Sequence, residues 1–208
     1  MRKNILVLIL LFTGFSAFSQ NKNDRNNDIQ TIFSRHGGNG GYGAISFGFS
    51  QIDGKDAVIT GARGAFVMNH SLAIGIGGYG FINDYGYKNY IPGNPANINL
   101  AGGYGGIFLE PVLGPRFPVH LSFPALLGIG GVAQVEDPQW SYYASFDGES
   151  DVYLVFEPAA ELELNLTRFL RTSFYGSYRF TTDIEITGTA PDVLEGWNMG
   201  ITFKIGKF

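Results

Sequence analysis

The sequence predicts an all-β chain that closes as an eight-stranded antiparallel up-and-down transmembrane β-barrel. Three observations support this fold class: apolar and polar residues alternate along most of the chain, turn-forming residues separate the alternating segments, and charged residues are scarce. Charged residues make up 15% of the 208 residues, aromatic residues make up another 15%, and glycine occurs 30 times. Because a soluble domain usually carries about 25% charged residues, this composition indicates a surface that lies partly outside water.

The first twenty residues are organised like a secretory signal peptide. Arg2 and Lys3 give a positive start, residues 5–12 are entirely apolar, and the small residues Ala17 and Ser19 close the segment. This order is typical of exported proteins. A membrane anchor is the alternative, but the apolar run is short compared with the roughly 20 residues of a spanning helix. The expected organisation is a signal peptide at 1–19, a flexible polar arm at 20–40 and the barrel at 41–208.

Eight alternating segments provide the predicted strands. Each is long enough for the roughly 9–11 residues that a tilted strand needs to cross a bilayer. Eight strands also make the smallest closed membrane barrel. The predicted strands lie at roughly 41–50, 56–68, 71–82, 98–109, 119–135, 151–165, 169–182 and 194–207.

The connections between these strands alternate in length. Those at 83–97, 136–150 and 183–193 are long, whereas 165–168 is a tight turn. Short turns on one side and long loops on the other are typical of outer-membrane barrels, and an even strand number places both termini on the short side. The connection at 110–118 is the exception, because it is long and rich in proline.

Alternation in the last strands divides apolar from charged side chains. In the segment 169–182, Leu170, Phe174, Tyr178 and Phe180 share one face, and the polar residues between them share the other. A soluble barrel would bury the apolar set. Here the large aromatic residues of that set, the mixed charges of the opposite set and the export signal favour an apolar face toward lipid and a polar lumen.

Charged residues of both signs fall on the predicted inner face. Buried ions must be paired, because an uncompensated charge in a dry interior costs several kcal/mol. We expect a salt-bridge network that fills the lumen, with His120 bonded to Glu161 or Glu163. A gated proton or ion path is the alternative that uses the same residues. The predicted network comprises Arg63, His120, Glu157, Glu161, Glu163, Arg171, Arg179 and Lys204.

Glycines on the predicted inner face would leave room for these long side chains. The expected inward pairs are Gly75 and Gly77, Gly103 and Gly105, and Gly128 and Gly130. The same small residues could instead line a cavity, in which case the barrel would be a narrow conduit or a binder for a small solute.

The chain resembles the small OmpA/OmpX-type outer-membrane barrels of Gram-negative bacteria. The resemblance covers residues 41–208 and includes the last strand, GITFKIGKF at 200–208. Such barrels typically end in an alternating strand with a C-terminal aromatic residue that the barrel-assembly machinery reads. Phe208 matches this assembly signal, although it is out of phase with Phe203 and Ile205. The resemblance implies a location in the cell outer membrane, with outer-membrane lipid and the assembly machinery as partners.

The motif His120-Leu121-Ser122 resembles the His-x-Ser spacing of outer-membrane lipid A deacylases, in which a histidine activates a serine. Here the apolar neighbours Leu121 and Phe123 take the lipid face, so His120 and Ser122 are expected to point inward. They also lie near the short-turn side, away from the outer leaflet. A lipid-modifying enzyme is therefore the less favoured alternative, and we expect no catalytic residues.

Aromatic residues in two long loops are candidates for contact with an extracellular partner. The alternative is that they form the upper aromatic girdle of the barrel. The candidates are Tyr85, Tyr87, Tyr90, Trp140, Tyr142 and Tyr143.

Other function classes receive little support. The chain has no cysteine and three histidines, and its net charge is −4. We therefore expect no transition-metal site and no other cofactor, and no basic face for nucleic acid. The most favoured function is a non-enzymatic barrel with a structural or surface-interaction role.

Overall fold

The computed structural model describes residues 39–52, 54–83, 99–135 and 149–208. The predicted signal peptide and nearly all of the polar arm lie outside these residues, as do the six aromatic loop candidates. No helix among the described residues is long and apolar enough to cross a membrane. The strands are β1 Gly40–Ile52, β2 Lys55–Met68, β3 Leu72–Asn83, β4 Asn99–Leu113, β5 Val119–Ser122, β6 Ala125–Val135, β7 Ser150–Asn165, β8 Leu170–Thr181 and β9 Gly196–Lys207.

β5 and β6 are two halves of one strand of the wall. Both pair with β4 on one side and with β7 on the other, and the register continues unchanged across the gap between them. Pro124 lies in this gap and has no N–H to donate to a ladder. Its carbonyl still accepts a bond from Ala159 N at 2.7 Å. The predicted strand 119–135 is therefore interrupted but keeps its place in the ring.

The ring closes because β1 pairs with β9 as well as with β2, for example at Ser46↔Thr202. Each strand otherwise pairs with its neighbours in sequence, and all pairings are antiparallel. With β5 and β6 counted as one, eight strands form a closed meander. The predicted fold class is confirmed, and closure leaves no open sheet edge among the strands that the structure describes.

The two ends of the barrel differ. The turns at 69–71, 114–118 and 166–169 lie at one end, here called the lower end, with the start of β1 and the end of β9. The connections at the opposite, upper end include residues 84–98 and 136–148, which lie outside the described residues.

The prediction of a long connection at 110–118 was wrong. β4 continues to Leu113, so only residues 114–118 connect it to β5. Pro111 lies within the strand, where its carbonyl accepts a hydrogen bond from Phe123 N at 3.0 Å. Proline removes one ladder donor but leaves the acceptor, so the proline-rich segment does not end the strand.

Burial alternates along the strands with the period of the pleat. In β1, the even-numbered residues from Tyr42 to Ile52 are buried and the odd-numbered residues between them are exposed. The exposed set includes Ile45, Phe47 and Phe49. The same arrangement continues around the ring, with apolar side chains on the outer wall and with the buried polar and charged side chains in the lumen beside an apolar core.

The upper end is partly closed by the segment that connects β8 and β9, residues 182–195, here called the upper cap. Its Ile184, Ile186, Val193 and Leu194 side chains are buried and join the apolar core inside the barrel. The sequence predicted only a long connection at 183–193. Ile184 and Ile186 alternate with exposed residues, Val193 and Leu194 are adjacent in sequence, and all four side chains turn inward.

Candidate functional site: the ionic network of the lumen

The structure places all eight predicted network residues in the interior, where each is at most 8% exposed. It adds Glu110, which the sequence analysis had assigned to a connection. Among the described residues, the buried charged side chains are four Arg or Lys and four Glu, apart from His120. Their formal charges cancel, as the cost of burying an uncompensated charge requires.

Most of these charges form one assembly, here called the lower ionic cluster. Its members come from six strands: β2, β4, β5, β7, β8 and β9. The lower ionic cluster consists of Arg63, Glu110, His120, Glu161, Glu163, Arg171 and Lys204.

Lys204 is the centre of the lower ionic cluster. Its Nζ lies 2.5 Å from Glu110 Oε1 and 2.8 Å from Glu161 Oε2, and it also contacts Glu163 Oε1. An ammonium group has three N–H donors, so three carboxylates use its full capacity. The side chain is 1% exposed, which leaves these carboxylates as its partners in place of water.

Arg63 connects opposite walls. Its Nη2 lies 2.7 Å and 2.9 Å from the two carboxylate oxygens of Glu161. It also lies 3.9 Å from Glu110 Oε2, and the guanidinium sits 5.5 Å from the centre of the Phe108 ring. β2 and β7 are not neighbours in the sheet, so this contact crosses the lumen.

His120 and Ser122 share one carboxylate. His120 Nε2 lies 2.7 Å from Glu163 Oε2, and Ser122 Oγ donates to Glu163 Oε1 at 2.8 Å. Arg171 Nη1 also donates to Glu163 Oε2, at 3.3 Å. A histidine base must reach the serine hydroxyl that it activates, whereas here both groups bond to Glu163 and both are buried.

Glu157 and Arg179, here called the upper pair, form no salt bridge with each other. Glu157 accepts hydrogen bonds from Ser177 Oγ at 2.5 Å, from Asn198 Nδ2 at 3.0 Å and from Tyr104 OH. The expectation that every buried ion has an ionic partner therefore fails in the upper lumen.

Neutral groups surround Arg179 instead. Its Nε donates to Leu194 O in the upper cap at 2.7 Å, and its Nη2 lies 3.5 Å from Ser50 Oγ. The guanidinium lies 5.2 Å from the Phe81 ring centre and 5.6 Å from that of Tyr104. Hydrogen bonds to a backbone carbonyl and cation–π contacts stabilise a desolvated guanidinium.

A cavity of ≈ 20 Å³ lies between the lower ionic cluster and Glu157. A water molecule needs about 10–15 Å³ by the same measure, so the cavity is water-sized. Its wall includes Arg63, Glu157, Ala159, Glu161 and Tyr175.

Glycines make room for the large inner side chains, although the predicted set is only partly correct. A Cβ at Gly77 would lie 2.9 Å from Arg63 Cβ, and one at Gly130 would meet the Tyr153 ring. Gly103 and Gly105 face outward, contrary to the prediction, because Tyr104 between them is buried. The inward glycines of β4 are Gly102 and Gly106.

Three carboxylates of the lower ionic cluster could in principle bind a cation. Ligand oxygens of Glu110, Glu161 and Glu163 lie within 4.8 Å of one another. The Lys204 ammonium already contacts all three. The chain thus supplies its own cation at this position.

Phe208, the predicted assembly signal, lies against the lower end of the lumen. Its ring stacks on Tyr42 with 5.7 Å between ring centres, and the Arg171 guanidinium lies 3.8 Å from its centre. The inward turn of this side chain explains why Phe208 is out of phase with the lipid-facing residues of β9.

Polar contacts hold the upper cap to the neighbouring strands. Glu149 accepts bonds from Thr187 N at 2.6 Å and Thr187 Oγ1 at 2.9 Å, and these bonds lower the pKa of its carboxyl. Asp151 Oδ2 accepts a bond from Glu185 N at 2.7 Å. Gln134 Nε2 donates to Thr187 O at 3.0 Å.

Sequence reasoning missed several members of the network. Glu110 was missed because the segment rich in proline was assigned to a turn; continued alternation with Tyr104 and Phe108 would have placed it inward. Tyr42 OH bonds to Glu110 and Tyr104 OH bonds to Glu157. A tyrosine on an inner face gives no sign of its partner in the sequence.

No family model matches the chain, and no curated protein matches it. Among solved structures, Neisserial surface protein A (NspA) is similar with a TM-score of 0.59 and 8% identity, over 82% of this chain and 97% of that one. At this identity the likeness shows the fold alone, a closed eight-stranded β-barrel.

Two further solved structures are similar at lower TM-scores. Ail, the attachment invasion locus protein of Yersinia pestis, has a TM-score of 0.47 and 14% identity, over 82% of this chain and 99% of that one. The N-terminal β-barrel domain of Pseudomonas aeruginosa OprF has a TM-score of 0.45 and 11% identity, over 80% of this chain and 96% of that one.

Proposed function

We propose that the chain is a non-enzymatic outer-membrane β-barrel with a structural or surface-interaction role. The observation that carries this proposal is the inside-out arrangement of the wall. Apolar side chains cover the outside of the ring, and buried ions of both signs fill its lower lumen.

The outer wall supports insertion into a bilayer. Val152 is 72% exposed, Ile76 is 70% exposed and Phe49 is 68% exposed. These three residues lie on β7, β3 and β1, so the apolar surface extends around the ring. Soluble monomers rarely expose apolar patches larger than a few hundred Å². On a closed barrel, an apolar outer surface of this kind is suited to contact with lipid acyl chains.

The lower ionic cluster supports a structural role for the lumen. Lys204 and Arg63 connect carboxylates from β4 and β7, so their bonds act across the ring as well as along it. Removing one partner of a buried ion pair costs about 3–5 kcal/mol. The cluster therefore favours one arrangement of the strands over alternatives.

The upper end supports the surface-interaction part of the proposal. The candidate contact residues Tyr85, Tyr87 and Tyr90 and Trp140, Tyr142 and Tyr143 belong to connections that join strands at this end. Neisserial surface protein A, which has the same fold, is named as a surface protein. We propose that an extracellular protein or surface contacts these loops.

Membrane fractionation tests the location. The full-length chain is expressed in a Gram-negative host, and the outer-membrane, inner-membrane and soluble fractions are separated on a density gradient. We expect the protein in the outer-membrane fraction after washing with 6 M urea, with a folded form that migrates faster than the boiled form on a gel. Recovery in the soluble periplasmic fraction would overturn the proposal.

Replacing the two aromatic loops, 84–98 and 136–148, with short Gly-Ser turns tests the contact role. We expect the shortened barrel to remain folded and to lose binding to cells or matrix proteins that the full-length chain binds. Binding that survives the replacement contradicts the contact role and leaves the membrane location untouched.

A narrow conduit is the second candidate, and the water-sized cavity favours it. Vesicles that contain the full-length chain are tested for conductance and for uptake of a small neutral solute. A conduit through the cavity requires that Ala159→Leu, which fills it, lowers the flux. Ala160→Leu is the matched control, because Ala160 is exposed on the outer wall. Absence of flux supports the structural role.

A lipid-modifying enzyme is the third candidate. The shared carboxylate of Glu163 supports a structural role for His120 and Ser122. Analysis of lipid A acylation in cells expressing the Ser122→Ala variant separates the two roles. If lipid A acylation is the same with the natural chain and with the variant, the non-enzymatic proposal is supported. If the natural chain changes lipid A acylation and the variant does not, the proposal is contradicted.

A further inference from the structure

Exposed basic and aromatic residues alternate around part of the lower end. The turn between β4 and β5 contains Arg116 and Phe117, the turn between β7 and β8 contains Arg168 and Phe169, and β9 ends at Lys207. β5 pairs with β7, and β8 pairs with β9. The three sites are therefore neighbours, and these five residues are here called the basic arc.

The backbone that presents the basic arc is held in place. Asn165 Nδ2 donates to Phe117 O at 2.8 Å, and His120 Nδ1 lies 3.2 Å from the same oxygen. Gly206 N donates to Phe169 O at 2.9 Å, which links the turn at 166–169 to the end of β9. A surface with a fixed backbone loses little conformational freedom on binding.

The side chains of the basic arc are exposed. Phe117 is 67% exposed and Phe169 is 61% exposed, and Arg116, Arg168 and Lys207 are also exposed. The lower turns at 69–71, 114–118 and 166–169 contain no Asp or Glu. The arc therefore has no acidic neighbour within these turns to neutralise it.

The upper end carries the opposite charge. Among the described residues there, exposed acidic side chains are found on β2, directly before β7 and in the upper cap. They are Asp56, Glu149, Asp183, Glu185 and Asp192. The charge asymmetry runs along the barrel axis, so an anionic ligand is attracted to the lower end and repelled from the upper end.

We propose that the basic arc binds the head groups of anionic glycerophospholipids in the leaflet at the lower end. Guanidinium groups bind phosphate with two parallel hydrogen bonds, and phenylalanine is among the apolar residues that interfacial segments bury at the boundary between head groups and acyl chains. Arg116 and Arg168 would bind the phosphates, while Phe117 and Phe169 would lie beside the upper part of the acyl chains. Lys207 adds attraction without a fixed geometry.

This inference rests on membrane insertion, and its test separates the two. The full-length chain is purified in a neutral detergent and titrated with palmitoyl-oleoyl phosphatidylglycerol (POPG) or the matching phosphatidylcholine (POPC), and bound lipid is counted by native mass spectrometry. The test variant is R116Q/R168Q. The matched control is K55Q/K88Q, which removes the positive charge of Lys55 at the start of β2 and that of Lys88 in the connection between β3 and β4, outside the described residues. The faster gel migration of the unboiled protein confirms that each variant is folded.

We expect the natural chain and the control to prefer POPG over POPC. The test variant should lose about 30-fold in POPG affinity, as expected for two cations at a membrane surface, while POPC binding is unchanged. The variant R116K/R168K, which keeps both charges, should retain most of the preference.

Equal POPG binding by the natural chain and R116Q/R168Q would overturn the inference. An equal loss in K55Q/K88Q would also overturn it, because the effect would then follow net charge and not position. Either result leaves the proposed membrane location intact, since that location is measured separately by fractionation.

Discussion

Arg63 on β2 and Glu161 on β7 meet across the lumen, with Arg63 Nη2 2.7 Å from Glu161 Oε1. The two strands do not pair in the sheet, so this contact is set by the closure of the ring. Each side chain is at most 5% exposed. This ion pair can form only after the ring has closed and has brought β2 and β7 to opposite sides of the lumen. It therefore stabilises the closed barrel and not a partly assembled sheet.

Arg63→Met and Glu161→Gln should each destabilise the barrel by about 3–5 kcal/mol, because each leaves a buried charge without its main partner. The double variant should lose clearly less than the sum of the two. Urea unfolding in lipid vesicles, followed by gel migration, measures this coupling. Asp183→Asn, which removes an exposed charge at the upper end, should change stability by less than about 0.5 kcal/mol. Additive losses would show that the pair is not coupled.

Lys204→Ala should make the stability of the barrel depend on divalent cations. The variant leaves Glu110, Glu161 and Glu163 with oxygens within 4.8 Å of one another and without their central ammonium. Mg²⁺ and Ca²⁺ bind clustered carboxylates. Refolding with millimolar Ca²⁺ should recover part of the lost stability of the variant and leave that of the natural chain unchanged. Equal responses of the two proteins to Ca²⁺ would contradict this role of Lys204.

The sequence predicts the wall of this barrel better than its interior. Period-two alternation identifies the strands and the face on which each side chain lies, because successive side chains of one strand point to opposite faces of the sheet. The contact between Arg63 and Glu161 depends on how far strands are staggered around the closed ring, which no local pattern reports. The upper cap was missed for a related reason. Ile184 and Leu194 lie in a segment without a strand pattern, and their burial depends on the apolar core inside the closed barrel, which the sequence does not display.

Gly130→Ala and Gly131→Ala should have different effects, although the residues are adjacent. A Cβ at Gly130 points into the lumen and overlaps the Tyr153 ring, whereas one at Gly131 points outward, with Asp151 O 3.7 Å away as its nearest neighbour. Overpacking should cost about 1–3 kcal/mol at Gly130. The Gly131 variant should be neutral or slightly more stable, because alanine restricts the unfolded chain. Equal urea midpoints for the two variants would contradict the assignment of faces.

Acidification should release the upper cap from Glu149. The bonds from Thr187 hold the pKa of the Glu149 carboxyl below its ordinary value of 4.5. Because the pKa is lowered in the folded state, the contact contributes its full stabilisation above pH 4.5. This stabilisation is lost as the pH falls through the lowered pKa. The Thr187 amide chemical shift, measured by NMR in detergent, should titrate with a midpoint below 4.5. Glu149→Gln should abolish that titration; a midpoint at or above 4.5 contradicts the contact.

Phe208 should contribute to stability and to assembly in separable amounts. Phe208→Ala removes the stack on Tyr42 and the contact with the Arg171 guanidinium, which should cost about 1–3 kcal/mol in the refolded protein. If the assembly machinery also reads this residue, the level of the variant in the outer membrane should fall below that of Gly130→Ala, whose loss of stability is expected to be similar. Quantitative blotting of membrane fractions makes the comparison. Loss of an assembly signal lowers the amount of protein inserted without lowering the stability of the inserted protein. Equal levels of the two variants would therefore show that Phe208 acts through packing alone.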